Sequence, residues 1–157
     1  MVKKSYHSEL ASRKKVAKAM AKNKPISLKY ATEIARELKD KPLDKAERFL
    51  QRITEKTEHL PLRRYIKHVP HRKGEAKSFT KSGRYPVRAA KAFLGLLADV
   101  KANADYKGMD NEALIIKDVF ASVGFRRVSH QSQGKISGKR RLSKSTHIEI
   151  VVVEGKK

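Results

Sequence analysis

Between Phe125 and His147 the chain reads FRRVSHQSQGKISGKRRLSKSTH, a stretch that holds Arg126, Arg127, Lys135, Lys139, Arg140, Arg141 and Lys144 but not one Asp or Glu. Such a stretch cannot build a core of its own. It lies between two β-rich runs, ALIIKDVFASV (Ala113 to Val123) and THIEIVVV (Thr146 to Val153). The simplest geometry joins them as one long antiparallel hairpin with a purely cationic far end. An arm of about ten residues at roughly 3.3 Å each reaches on the order of 35 Å. A ribbon of this kind needs a partner that supplies counter-charge and hydrogen-bond acceptors along its length, and nucleic acid offers both.

The 157 residues suffice for one ordinary domain with one core. A net charge of +22 is far beyond what solubility requires. Self-repulsion on that scale predicts that the chain finishes folding, or at least orders its extensions, against a polyanion. With no cysteine, a disulfide framework and a Cys-based zinc site are both excluded. The N-terminus MVKKSYHSELASRKK has no apolar signal-like segment and no window approaches a membrane span, so the expected location is cytoplasmic.

Charge is unevenly distributed. Acidic residues concentrate between Glu33 and Glu58 and between Asp99 and Asp118, whereas Met1 to Lys29 carries only Glu9 and Leu62 to Lys91 only Glu75. Those two basic stretches and the hairpin are the expected polyanion surface.

Ser27 is placed to cap a helix running to about Lys39, with Leu28, Ala31, Ala35 and Leu38 on one face. Pro42, at or just before the first helical position, opens a second helix whose stripe is Leu43, Ala46, Phe49 or Leu50, and Ile53, fading at the Leu60-Pro61 stop. Asp44 and Glu47 in its first turns complement the helix dipole. From Leu62 to Tyr85 there is no sustained period, so a long loop is predicted. Pro86, at another first helical position, starts a central core helix with Val87, Ala90, Phe93, Leu94, Leu97 and Val100 as its stripe. In the closing run Ile148, Ile150 and Val152 share a face, and the opposite one starts with His147 and Glu149 before turning apolar. A two-stranded ribbon is marginal alone, and Val16 to Ile26 is the candidate third strand.

Catalytic possibilities are thin. His68 and His71 have a spacing compatible with a metal pair, but only Glu75 lies close by in sequence. Glu33 and Glu37, one turn apart, read as solvent-side charges matched to Lys29, Arg36 and Lys41. No phosphate-binding glycine loop, nucleophile elbow or HExxH motif is present. The basic groups are richer: Arg63, Arg64 and Tyr65, then His71, Arg72 and Lys73, then Arg84, Tyr85 and Arg88. Guanidinium forks bind phosphate oxygens, and aromatic faces stack on unpaired bases, although Tyr65 and Tyr85 can equally fold against the body. The hairpin tip has Gly134 and Gly138 for turning and lacks Pro, which favours shape-following contact over kinking a duplex.

At this point the residues resemble a known family, the large-subunit ribosomal protein L-twenty-two in its archaeal and eukaryotic form. The matching text is SLKYATEIARELKDKPLDKAERFL, HLPLRRYIKHVPHRKG, GRYPVRAAKAFLGLL, NADYKGMDNEALII and THIEIVVVE, in order from Ser27 to Glu154. The resemblance implies an α+β fold: helices packed on a small three-stranded antiparallel sheet, with a long protruding β-hairpin. It implies a single RNA-binding domain over 1–157, with a basic N-terminal segment at 1–24 and the extended hairpin at 124–146.

The implied function is structural, without catalysis or cofactor. Its implied partners are large-subunit ribosomal RNA, neighbouring ribosomal proteins and the nascent peptide in the exit tunnel that the hairpin lines. Arg126, Arg127, Lys135, Lys139, Arg140, Arg141 and Lys144 match the family's basic hairpin. Arg63, Arg64, Arg72, Lys73, Arg84, Tyr85 and Arg88 match its insertion and helix start. The departure is at the tip, where relatives commonly carry a Pro-Arg-Ala then Gly-Arg pattern and this chain has SHQSQGKISGKRR. His130 and Gln133 are the tunnel-lining candidates there. The alternative is a DNA-architectural or transcriptional protein with a basic β-arm; a third reading is an RNA-modifying enzyme centred on His68 and His71.

Overall fold

The computed structural model describes residues 6–8, 15–65, 68–71 and 82–155. In chain order the elements are β1 (Val16–Lys24), α1 (Leu28–Leu38), α2 (Leu43–Glu55), β2 (Leu60–Pro61), β3 (Gly83–Arg84), α3 (Val87–Tyr106), a 3-10 turn (Asn111–Ala113), β4 (Leu114–Val123), β5 (Val128–His130), β6 (Arg140–Leu142) and β7 (Thr146–Glu154). Helices pack on a three-stranded antiparallel sheet, the α+β arrangement expected. The sheet order is β1-β7-β4, so the chain's last strand is the central one. β4 and β7 pair from Leu114 with Glu154 to Val123 with Thr146, as the two flanking runs predicted. The third strand is indeed the Val16 stretch, which pairs from Val16 with Val153 to Lys24 with Thr146.

Period-two alternation explains the two faces of β7. Ile148, Ile150 and Val152 are fully buried beneath the helices. On the other side Val151 packs with Val16, Tyr6 and Val153 in a small second cluster. Glu149 shares that face and is nevertheless buried, because residues 6–8 fold over it and the His7 amide donates to its carboxylate at 2.8 Å. His7 stacks on Phe120 with ring centroids 3.9 Å apart. Burial, and secondarily the charge of Glu149, push the Tyr6 phenol pKa above its usual value.

α2 buries its whole expected stripe, whereas Leu28 of α1 and Val87 and Leu94 of α3 stay only half-buried, and Ile34 of α1 and Ala89, Leu96 and Ala104 of α3 are buried beyond expectation. α2 buries Leu43, Ala46, Phe49, Leu50 and Ile53, and α3 buries Ala89, Ala90, Phe93, Leu96, Leu97, Val100 and Ala104. Each large apolar side chain so buried contributes about 1.5–3 kcal/mol relative to exposure. Pro42 and Pro86 both occupy the cap position itself, so Pro86 sits one residue earlier than expected. α2 ends at Glu55 rather than near Leu60, because Lys56 turns left-handed at φ 64°. The Thr57 amide then donates back to the Arg52 carbonyl at 3.0 Å. Leu60 and Pro61 instead form a short strand against Gly83 and Arg84, which closes the base of the long loop.

Both sheet edges are covered. On the β4 side the α1–α2 turn docks at a bulge between Ile116 and Asp118. There the Asp40 amide donates to the Ile116 carbonyl (2.8 Å) and the Ile116 amide to the Lys41 carbonyl (2.9 Å). On the β1 side α3 supplies Asn103 Nδ2 to the Lys18 carbonyl (2.9 Å) and Lys107 Nζ to the Val16 carbonyl (2.7 Å).

Two glycines test this packing in opposite directions. A Cβ on Gly83 would meet the His59 ring at 2.0 Å and the Leu60 carbonyl oxygen at 2.8 Å, whereas one on Gly95 of α3 meets nothing within 4 Å. Gly83→Ala is expected to lower unfolding stability by about 1–3 kcal/mol, and Gly95→Ala to raise it by about 0.4–1 kcal/mol. Urea denaturation of the two variants checks both signs.

Candidate nucleic-acid interface

Past Val123 the β4–β7 ladder gives way to irregular pairing and then resumes as β5–β6, with Val128 opposite Leu142, Ser129 opposite Arg141 and His130 opposite Arg140. The join is organised by Asn23, which sits at φ 52° at the end of β1. Its Oδ1 accepts from the Phe125 amide at 3.0 Å and from Ser145 Oγ at 3.1 Å, while its own amide donates to His147 Nδ1 at 3.1 Å. Gly124 fits between these groups, with Ser145 Oγ only 2.4 Å from where a Cβ would stand. The Gly124 amide donates to the Ser145 carbonyl (3.0 Å) and the Ser143 amide to the Arg127 carbonyl (3.0 Å), so the two chains stay joined through the irregular part. Beyond it, the Gln131 amide donates to the Lys139 carbonyl and the Gly138 amide to the Gln131 carbonyl, and Gly134 and Gly138 make the tip turn at φ 82° and 80°.

Arg126, Arg127, Lys135, Lys139, Arg140, Arg141 and Lys144 are all exposed, as are His130 and Gln133 at the tip. Cross-strand register places Arg140 with His130 on one face and Arg141 with Ser129 on the other, so the ribbon is cationic on both faces. Among the described residues none of the seven cations enters an ion pair. Six cations on the body differ: Arg36, Lys39, Lys41, Arg52, Arg63 and Lys117 each have a carboxylate within 4 Å, for example Lys117 to Asp40 at 3.1 Å.

The Arg63-Arg64-Tyr65 segment is held by a residue read differently from sequence. Glu33 is not on the solvent side of α1; it is 1% exposed. Its Oε1 accepts from the amides of Arg64 at 2.7 Å and Tyr65 at 2.6 Å, and its Oε2 from the amide of Arg63 at 3.4 Å. Three successive amides converging on one carboxylate offset its burial. Helical spacing alone placed Glu33 beside Glu37, and no local signal announced a loop 30 residues later as its partner. Glu37 keeps the expected Lys41 partner (3.6 Å) and adds Arg63 at 3.4 Å. Arg64 lies exposed, its guanidinium 5.4 Å from the half-buried Tyr65 ring.

Arg84 and Tyr85 are partly buried, and Arg88 is exposed in the first turn of α3. Arg72 and Lys73 lie outside the described residues. His68 and His71 are exposed, and His71 forms a bridge with Ser82 that extends the loop base. No set of three or more potential metal ligands is grouped among the described residues. Sequence reading passed over a strip of exposed apolar side chains among the arginines: Phe125 is 74% exposed, Val128 46% and Leu142 53%. Phe125 immediately before two arginines was the signal available.

An α+β body with a two-faced cationic arm defines a nucleic-acid-binding structural protein. Residues 19–153 match the family described as ribosomal protein L22p/L17e. Similar proteins include the large ribosomal subunit protein uL22 of Ignicoccus hospitalis, 38% identical over 154 residues (95% of this chain, 96% of the relative). The protein of the same name from Hyperthermus butylicus is 40% identical over 152 residues (95% and 96%). That from Methanocaldococcus jannaschii is 39% identical over 142 residues (89% and 88%). The chain belongs to the L22p/L17e family: it is a structural, non-enzymatic, RNA-binding protein of the large ribosomal subunit. Membership sets aside the DNA-architectural and RNA-modifying alternatives. No helix among the described residues is long and apolar enough to cross a membrane.

Glu33→Ala is expected to cost about 1.5–3 kcal/mol, the range for hydrogen bonds to a charged group. Hydrogen exchange should lose protection at the Arg64 and Tyr65 amides while the β4–β7 amides keep theirs.

Proposed function

We propose that the arm from residue 124 to 146 penetrates ribosomal RNA and lines the nascent-peptide exit tunnel, with His130 and Gln133 at its tunnel-facing end. Arg126, Arg127, Lys135, Lys139, Arg140, Arg141 and Lys144 neutralise phosphates along the arm. Arg63, Arg64, Arg84, Tyr85 and Arg88, with Arg72 and Lys73, hold RNA on the body. The observation that carries this reading is a contrast in pairing: six cations of the body have carboxylate partners, and among the described residues none of the seven on the arm has one. RNA supplies what the protein withholds there, and each phosphate contact releases condensed counterions. The irregular, glycine-turned tip suits a path shaped by RNA rather than by the sheet.

The organisation that follows is a single RNA-binding domain over 1–157, with a basic segment at 1–24 that contributes β1 from Val16 onward. Neighbouring ribosomal proteins and the nascent peptide are its remaining partners. Replacing both Arg140 and Arg141 with Ala is expected to lower the slope of log affinity against log salt by about one to two units. An RNA-binding titration from low to high salt measures it, and an unchanged slope removes those two phosphates from the account.

A further inference from the structure

Two adjoining grooves run along the root of the arm, and Lys144, Ser27 and Ile26 line both. The first, about 240 Å³, continues toward Arg126, Leu142 and Lys29. The second, about 330 Å³, is walled by Tyr30, Tyr85, Pro86 and Arg88, a volume at the small end of pockets that take organic ligands. Neither groove has an Asp or Glu among its described lining residues.

The second groove joins two phenol rings, an aliphatic floor and two exposed cations, Arg88 and Lys144. A purely apolar ligand would leave the cations unused. An acidic peptide would satisfy them without needing two aromatic walls. A nucleotide uses all of them, with its base against the rings and its phosphates on Arg88 and Lys144. Ser27 adds a polar contact: it caps α1 by position, yet its side chain makes no cap hydrogen bond and its Oγ is available to a base edge or ribose. The amino ends of α1 and α3 lie in the same wall, and neither helix has an acidic residue in its first turn to oppose a phosphate.

We infer that the Tyr30–Tyr85 groove binds an unpaired nucleotide of an RNA strand whose backbone runs on over Lys144 to Arg126 at the root of the arm. The site rests on the RNA-binding reading and makes it specific: here the protein takes a single strand, whereas the arm's phosphate contacts are indifferent to pairing. Tyr30 and Tyr85 stack, Arg88 and Lys144 hold the flanking phosphates, and Ser27 contacts the base edge or sugar.

The test uses the full chain with two RNA probes of equal length, a fully paired stem and the same stem with one bulged nucleotide. The chain has no Trp and five Tyr, so the part of the tyrosine quenching that is lost in Tyr30→Phe and Tyr85→Phe reports stacking in the groove. The bulged probe is expected to quench tyrosine emission and bind more tightly. Tyr30→Ala and Tyr85→Ala should each lower affinity for it about five- to a hundredfold, the range for loss of one base–aromatic stack, and leave the paired stem's affinity unchanged. Tyr30→Phe and Tyr85→Phe keep the ring and should restore binding, which separates stacking from a folding defect. If neither alanine variant discriminates between the probes, while replacing Arg140 and Arg141 still weakens both, the groove is not a nucleotide site and the RNA-binding arm stands. If those arginine replacements also have no effect, the RNA-binding reading of the arm fails with it.

Discussion

β7 is hydrogen-bonded along both edges, to β1 on one side and β4 on the other, and every major element is secured to that central strand directly or through a neighbour. α3 lies across β1 and β7, α2 packs on α3, and α1 docks on β4. The same β4–β7 pair is also the root of the arm. One ladder therefore has an apolar end, with Ile148, Ile150 and Val152 sealed in the core, and leads at its other end into a segment with almost nothing buried. Burial is concentrated at one end and exposed positive charge at the other. The Asn23, Gly124 and Ser145 contacts mark the change, and they tie the two chains together where the regular ladder lapses.

Charge is allotted on the same plan. On the β4 side, Lys39, Lys41 and Lys117 meet Asp118, Glu37 and Asp40, which satisfies the α1–α2 turn against the sheet edge. These exposed pairs each contribute little, about 0–1 kcal/mol. Their consequence is that this face is electrically mixed, while among the described residues the seven cations of the arm form no ion pair. Glu33 occupies an intermediate role. It is a negative group kept inside the basic region, and it is tolerated because it is buried on backbone amides, leaving the Arg64 side chain outside.

Much of this was legible in the residues. The α2 stripe from Leu43 to Ile53 and the β7 alternation of Ile148, Ile150 and Val152 are local periodicities, and local periodicity survives into the fold. The pairing of the two flanking runs followed from their position around one uninterrupted basic segment. What was not legible depended on distant partners. The end of α2 was set by a left-handed Lys56, a conformation that Lys does not advertise. Burial of Glu33 needed the amides of residues 63 to 65, and burial of Glu149 needed residues 6–8 to cross the sheet. The Tyr30–Tyr85 groove joins the first turn of one helix to that of another more than 50 residues away, and no sequence window contains both.

The central claim is that the unpaired cations of the arm are there to be embedded in ribosomal RNA. Sucrose-gradient sedimentation of cell lysate at increasing monovalent salt, following this protein by immunoblot, addresses it most directly. An embedded arm predicts that the protein stays with the large subunit through a high-salt wash that strips surface-bound proteins. Release to the top of the gradient, or migration with DNA, would contradict the account.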